Sequence, residues 1–475
     1  MPRIRNRILF TISAAVISII MSMPAFSFTI PQEIKEKADA LELDADAAIL
    51  IDATTGEILY EKNPYKKEYP ASITKLMTML LAFENCSLDE TVTFSRNAVY
   101  SIEPGSSNIG IDQGEELTVE QCLYGIMLQS ANEVSNGIAE HIDGSMEEFA
   151  KHMTQRAKEL GAQNTNFVNA NGLHDENHYT TAYDMALIAK ELLKYPEFKE
   201  ILGSTYYEIP PTNIQPETRY LHGQTQLIKS ASSFYYEECE GGKTGFTDQA
   251  RNTLVAYAKR GDTEVISVVL YSTGYGEYTD TIKLFDYGLD NFKTVNICKS
   301  GDQCGKTQAV TESFMSSSSE DLPVGYADSI TVTIPSTSSE SNIEISHNIP
   351  TTVSTPVKEG DVIGTAQFSL NGEVIGETNL LALSNAGEQE SAVPAIANGN
   401  NNKTPINIKM IGGISALAIV LLVIAKITFS KIKYEIKRKK RRERLKHYRD
   451  TNYSNITLKG NYSRKRRGRE NNRLY

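Results

Sequence analysis

The chain has 475 residues, 40% of them hydrophobic and 23% charged, with a formal net charge of −11. That length leaves room for two domains plus appendages. The five cysteines include no C-x-x-C pair, and there is no Gly-rich phosphate loop, which argues against redox catalysis and a nucleotide role.

In chain order, residues 1–27 read as a secretory signal. Arg3, Arg5 and Arg7 precede the apolar run Ile8 to Ile20, and Ala25-Phe-Ser27 is a small-x-small cleavage site. An uncleaved anchor is the alternative. Residues 28–292 follow as one unit. It opens on a hairpin, Ala47 to Ile51 and Glu57 to Glu61 around the turn Ala53-Thr-Thr-Gly56. Helical stretches follow Ser72, Thr118 and Asn132, with two more at 149–160 and 182–193. Strands return after 203 and dominate 243–271, and a helix at 280–292 closes the unit. Helices enclosed by strands from both ends predict an α/β (α+β) layer whose N- and C-terminal strands share one antiparallel sheet.

Residues 293–384 read as a small all-β domain. Its strands are expected at 329–334, 342–345, 365–370 and 373–380, with Ser316 to Glu320 as a Ser-rich link. Residues 385–405 are too polar to pack and predict a flexible tether. The twenty residues 410–429 are apolar enough to span a bilayer, and the basic run 437–442 beyond them stays cytoplasmic. The expected topology puts residues 28–405 outside the cell membrane and 430–475 inside. Charge follows this division: residues 28–425 carry 26 basic and 55 acidic side chains, a net of −29, and the remainder to the C-terminus is +15. Beside a membrane span, a basic tail suits anionic lipid headgroups, not nucleic acid.

Three short motifs carry the chemistry: Ser72-Ile-Thr-Lys75, Ser130-Ala-Asn132 and Lys243-Thr-Gly245. Singly each is weak, since S-x-x-K recurs at Ser430, K-S-G at Lys299, and S-x-N at Ser95, Ser106, Ser346 and Ser369. Ser72 and Asn132 taken alone read as a helix cap and a turn residue. Context separates the matches. Ser72 follows Pro70-Ala71 and opens an apolar helical run, so Lys75 falls one turn away on the same face. An alcohol needs an adjacent base, and a lysine serves as one only with a lowered pKa, through desolvation or a second cation. Lys243 is that cation. The start of a helix also presents free N–H donors suited to an oxyanion. Glycines 241, 242 and 245 let a substrate backbone approach the Lys243 strand.

In these motifs the chain resembles the penicillin-recognising serine enzymes, and within them the low-molecular-mass D-alanyl-D-alanine carboxypeptidases. Supporting stretches are Ala47 to Gly56, Pro70 to Met77, Asn171-Gly-Leu173, His178 to Ala186 and Gly242 to Asp248. The resemblance implies a serine β-lactamase/transpeptidase-like fold without cofactor or metal. It implies Ser72 as the acylated nucleophile, Lys75 as its base and Ser130 as a proton relay linked to Lys243. Asn132 would hold the substrate amide and Thr244, beside Gly245, the terminal carboxylate. The N–H groups of Ser72 and Phe246 would form the oxyanion hole. The substrate would be a peptidoglycan stem pentapeptide, with β-lactams as inhibitors of the same serine. The alternatives are D,D-endopeptidase action on cross-links, or a poorly turning-over penicillin-binding scaffold or sensor.

The chain departs from its relatives in having Phe246 where many carry His, and in having no Arg in Leu270 to Gly274. Residues 161–172 hold no Glu, which argues against a class A β-lactamase. His174 and His178 flank carboxylates, but in a loop-like stretch without a third ligand, so zinc is not expected there. Cys298 and Cys304 are spaced to close a small loop, and Cys86 and Cys122 read as buried thiols.

Overall fold

A computed structural model describes residues 29–313 and 316–387. The expected signal, the expected membrane span, the basic tail and nearly all of the expected tether lie outside the described residues. Among those described, no helix is long and apolar enough to cross a membrane.

The strand Ala47–Asp52 lies inside the architecture, and all six of its residues are buried. Ala47, Ile49 and Ile51 face one core and Ala48 and Leu50 the other, the two-residue alternation of a strand covered on both sides. Five antiparallel strands lie in the spatial order Ile58–Lys62, Ala47–Asp52, Thr263–Ser272, Arg251–Arg260 and Cys239–Thr247. Ala47 pairs with Leu270 and Asp52 with Val265, so the N- and C-terminal strands share one sheet as expected. The strand carrying Lys243 ends the sheet and has one free edge within it.

One face of the sheet holds the helical layer. Lys75–Asn85 is its centre, and Leu76, Met77, Met79, Leu80, Leu81 and Ala82 are all buried. Val119–Gln129 starts at a capping box, in which Thr118 and Gln121 satisfy each other's backbone N–H groups. Asn132–Asp143, Met146–Glu159 and Ala182–Leu192 complete this core. The opposite face is covered by Gly276–Asn291, which starts four residues before the sequence reading places it. The short helices Gln32–Asp39, Arg96–Tyr100 and Pro196–Leu202 were not anticipated.

The C-terminal part is all β, and its apolar residues Val332, Ile334 and Phe368 join the core behind the sheet. Side-chain bonds tie it there, among them one that Thr294 Oγ1 donates to Asp52 and one between the Thr55 and Thr333 hydroxyls, 2.7 Å apart. Ser316 to Glu320 is not a link. It opens the strand Ser316–Tyr326, paired with Gln303–Ser313 from Ser313↔Ser316 to Gln303↔Gly325. Its side chains are exposed, so its polarity marks a hairpin arm reaching solvent, while the backbone is paired. Backbone pairing continues to Ala386, which bridges to Val357.

Candidate active site

Ser72 lies in one tight 3-10 turn, Ala71–Thr74, that runs directly into the Lys75–Asn85 helix. The sequence places it in the first turn of a helix, and that turn is of the tighter kind. The tighter turn comes with a left-handed Ala71, at φ +50°. Such a conformation costs a residue with a Cβ about 1 kcal/mol or more, so neighbours must hold it. Thr253 Oγ1 donates to the Pro70 carbonyl at 2.8 Å. Gly172, at φ +83°, sits so close that a Cβ on it would lie 1.9 Å from the Ala71 carbonyl oxygen. Gly245 closes the other side, where a Cβ would meet the Ser72 nitrogen at 2.7 Å. The edge strand therefore abuts the backbone of the Ser72 turn.

Lys75 is completely buried. Its Nζ donates to Ser72 Oγ at 3.0 Å, to Asn132 Oδ1 at 2.7 Å and to the Asn171 carbonyl. Three acceptors match the three N–H bonds of an ammonium. A neutral amine has two N–H bonds and one lone pair. The two carbonyl oxygens can only accept, so they take both N–H bonds, and the lone pair is left to the one partner that can donate, the Ser72 hydroxyl. Deprotonating Lys75 thus turns the Ser72 contact into O–H to N, the arrangement of a nucleophile with its base. Burial, then the charge of Lys243, hold the Lys75 amine well below its ordinary range, with Glu133 a weaker opposing influence.

Ser130 ends the Val119–Gln129 helix in a left-handed conformation, φ +55°, and Asn132 starts the next. This two-residue corner turns both side chains inward, and both are buried. Asn132 N–H donates to the Ser107 carbonyl at 2.9 Å, which fixes the corner. With its Oδ1 held by Lys75, Asn132 has its amide N–H donors to offer a ligand. Lys243 Nζ donates to Ser130 Oγ at 3.1 Å and to the Thr244 carbonyl at 2.9 Å. Burial pushes its amine down to about 7.

The eight residues singled out in the sequence thus fall into two linked groups. Ser72, Lys75 and Asn132 bond directly, and Ser130 bonds Lys243. Gly245 packing on Ser72 and the electrostatic reach of Lys243 to Lys75 join the groups. Thr244 is half-buried opposite Leu254, and Phe246 is exposed opposite Asn252, so its side chain adds nothing to the site's interior. Ala71, Thr253 and the Asn171 carbonyl were not picked out. A carbonyl that accepts a hydrogen bond leaves no mark in residue type, although Asn171-Gly-Leu173 was among the stretches that carried the resemblance.

His178 is committed elsewhere. Its Nδ1 accepts from Val168 N–H at 3.1 Å, so Nε2 donates to Thr74 Oγ1 at 2.8 Å. Burial pushes the imidazole down to about 3. With both ring nitrogens bonded, it supports the loop beneath Lys75 and does not take part in a metal site with His174. Cys298 and Cys304 are not joined in a disulfide, so the loop closure weighed from spacing is not formed.

Residues 33–274 match the family model described as D-alanyl-D-alanine carboxypeptidase, and residues 292–388 match the penicillin-binding protein 5 C-terminal domain. The chain is 32% identical over 382 residues to D-alanyl-D-alanine carboxypeptidase DacF of Bacillus subtilis, covering 79% of this chain and 94% of that one. It is 32% identical to DacC of Escherichia coli, with 74% and 87% covered. Among solved structures, penicillin binding protein 5 from Haemophilus influenzae superposes with a TM-score of 0.62 at 26% identity, covering 73% of this chain and 99% of the other. The chain belongs to the D-alanyl-D-alanine carboxypeptidase family, with the α+β catalytic domain and all-β C-terminal domain of such proteins.

Proposed function

We propose, from membership of this family and from the geometry around Lys75, that the protein is a serine-type D-Ala-D-Ala carboxypeptidase. It removes the terminal D-alanine from peptidoglycan stem pentapeptides through an acyl-enzyme on Ser72. Neutral Lys75 takes the Ser72 proton as Oγ attacks the penultimate D-alanine carbonyl. The negative charge that develops is met by the N–H groups of Ser72 and Phe246. Ser130, held by Lys243, passes a proton to the departing D-alanine amine. Water then cleaves the ester and restores Ser72. Asn132 holds the substrate amide, and Thr244 with the Lys243 charge receives the terminal carboxylate. A β-lactam acylates the same oxygen.

The observation that carries this reading is the Ser72–Lys75 contact at 3.0 Å on a buried amine whose other two acceptors cannot donate. The catalytic part works outside the cell, tethered by residues 410–429, with 430–475 in the cytoplasm. The support for that topology is the hydropathy and charge pattern of the sequence. The test is D-alanine release from a pentapeptide substrate. The parent releases it and Ser72→Ala does not, and release that survives in Ser72→Ala refutes the assignment.

A further inference from the structure

The two helices that begin at the site both end at a second cluster. Lys75 is the first residue of Lys75–Asn85, and Cys86 caps the far end of that helix. Asn132 is the first residue of Asn132–Asp143, and His141 lies in the last turn. Eleven and twelve residues put these ends about 16–18 Å from the beginnings. Between the ends the loop after Cys86 delivers Glu90. The ligand atoms of Cys86, Glu90 and His141 all lie within 4.8 Å of one another, and all three residues are half-buried.

We propose that Cys86, Glu90 and His141 form a binding site for a divalent transition-metal cation of the zinc class. The donor set is one sulfur, one carboxylate oxygen and one imidazole nitrogen, the mixture that zinc accepts and that hard cations such as magnesium do not. The spacing fits as well. With metal arms of about 2.0–2.1 Å to nitrogen and oxygen, a tetrahedral N···O edge is about 3.3 Å. His141 Nε2 and Glu90 Oε2 are 3.3 Å apart. A sulfur arm of about 2.3 Å needs a sulfur-to-nitrogen edge of about 3.6 Å, which small side-chain rotations reach from within 4.8 Å.

Glu90 is already oriented, because its Oε1 accepts from the Ser87 N–H at 3.0 Å, which aims Oε2 at the imidazole. On binding, the Cys86 thiol releases its proton to solvent, so thiolate and carboxylate together neutralise the dication. The cation then sits at the C-terminal ends of two helices, where their dipoles favour positive charge. Cys122 lies behind Cys86. Its sulfur is not among the ligand atoms that lie within 4.8 Å of one another, so it backs the site and is not counted as a fourth ligand. Partial exposure leaves the fourth position to water. The sequence offered no sign of this set, since His141 stands 51 residues from Glu90. Its role is to lock the far ends of the two helices that carry Lys75 and Asn132.

The test uses the full-length protein, stripped with a chelator, kept reduced, and titrated with Zn²⁺ by calorimetry and with Co²⁺ by absorption. One equivalent binds, Co²⁺ shows a thiolate-to-metal charge-transfer band, and Zn²⁺ raises the unfolding midpoint. Cys86→Ser abolishes the band. His141→Ala and the near-isosteric Glu90→Gln each weaken Zn²⁺ binding by at least about tenfold, while unfolding as cooperatively as the parent. A parent Co²⁺ spectrum without a thiolate band, or stoichiometric binding unchanged in Cys86→Ser, overturns the proposal.

Discussion

Gly172→Ala is the substitution that tests how Ser72 is positioned. Two costs arise and can be separated. The first is conformational: at φ +83° an alanine pays about 1–2 kcal/mol wherever it stands. The second is steric: the new Cβ would lie 1.9 Å from the Ala71 carbonyl oxygen, against an ordinary contact of 3.4 Å or more. The neighbour is backbone, so the Ala71 carbonyl must retreat by roughly 1.5 Å, and Ser72 is the next residue. A displacement of about 1 Å at a reacting group costs about a hundredfold in rate. Gly144→Ala is the control, with φ +81° and nothing within 4 Å of its Cβ. Labelling by a fluorescent penicillin and the unfolding midpoint are measured for both. The control loses about 1–2 kcal/mol of stability and labels at the parent rate. Gly172→Ala loses more stability than the control and about a hundredfold or more in labelling rate. Labelling of Gly172→Ala at the parent rate would show that its contact with Ala71 does not position the nucleophile.

Stability has a pH signature of defined sign. The folded Lys243 amine titrates at about 7, whereas an unfolded lysine titrates near about 10.4. Between those values the unfolded chain binds more protons, so stability rises with pH, by about 2 kcal/mol from this group between pH 7 and 9. Lys243→Met should remove that increment from the urea-unfolding free energy, and an equal rise in parent and variant would contradict the assignment. Arg219 holds the wholly buried Glu115 through contacts of 2.6 and 2.9 Å, tying the Tyr206–Ile209/Arg219–His222 hairpin to the loop ahead of Glu116. Arg219→Ala leaves that carboxylate unpaired and should cost about 3–5 kcal/mol of unfolding free energy; a loss under 1 kcal/mol would mean that water replaces the guanidinium.

The features legible in the sequence were those set by side-chain type over short spans. The apolar run Ala47 to Ile51 before the turn Ala53-Thr-Thr-Gly56 foretold a strand, and the unbroken apolar run after Lys75 foretold a buried helix. The three motifs foretold which serine, amide and two amines would meet in one site. What remained hidden depends on backbone or on distant pairing. Ala71 looks like any alanine, and its left-handed φ exists because Gly172, about a hundred residues later, leaves room for its carbonyl. The serines at 316–320 signalled solvent, which a paired hairpin arm meets as readily as a link does. The Cys86, Glu90 and His141 cluster is assembled by two helix ends and a loop, so no spacing rule reaches it.

The identity of the acceptors around Lys75 explains how a buried amine is kept available to act as the base proposed above. An aspartate in place of Asn132 would present an oxygen at the same point, and the count of acceptors would not change. Its charge, however, would hold the proton on Nζ, because an opposite charge at that distance favours the ionised amine. An uncharged amide and a peptide carbonyl accept the two N–H bonds without that bias. Glu133, next to Asn132 and almost wholly buried, is the carboxylate whose charge acts on Lys75 in the sense that would restore the bias. Its Oε1 is turned to the Ile109 N–H at 2.7 Å, and burial raises its own pKa, so it competes poorly for the role of counter-ion. Lys243 then acts in the opposite sense, since any charge it carries disfavours a second charge on Lys75. Neutral acceptors, a diverted carboxylate and a second amine all push Lys75 toward its unprotonated form, and of its three hydrogen-bond partners it is Ser72 that then has a hydrogen to point at the lone pair.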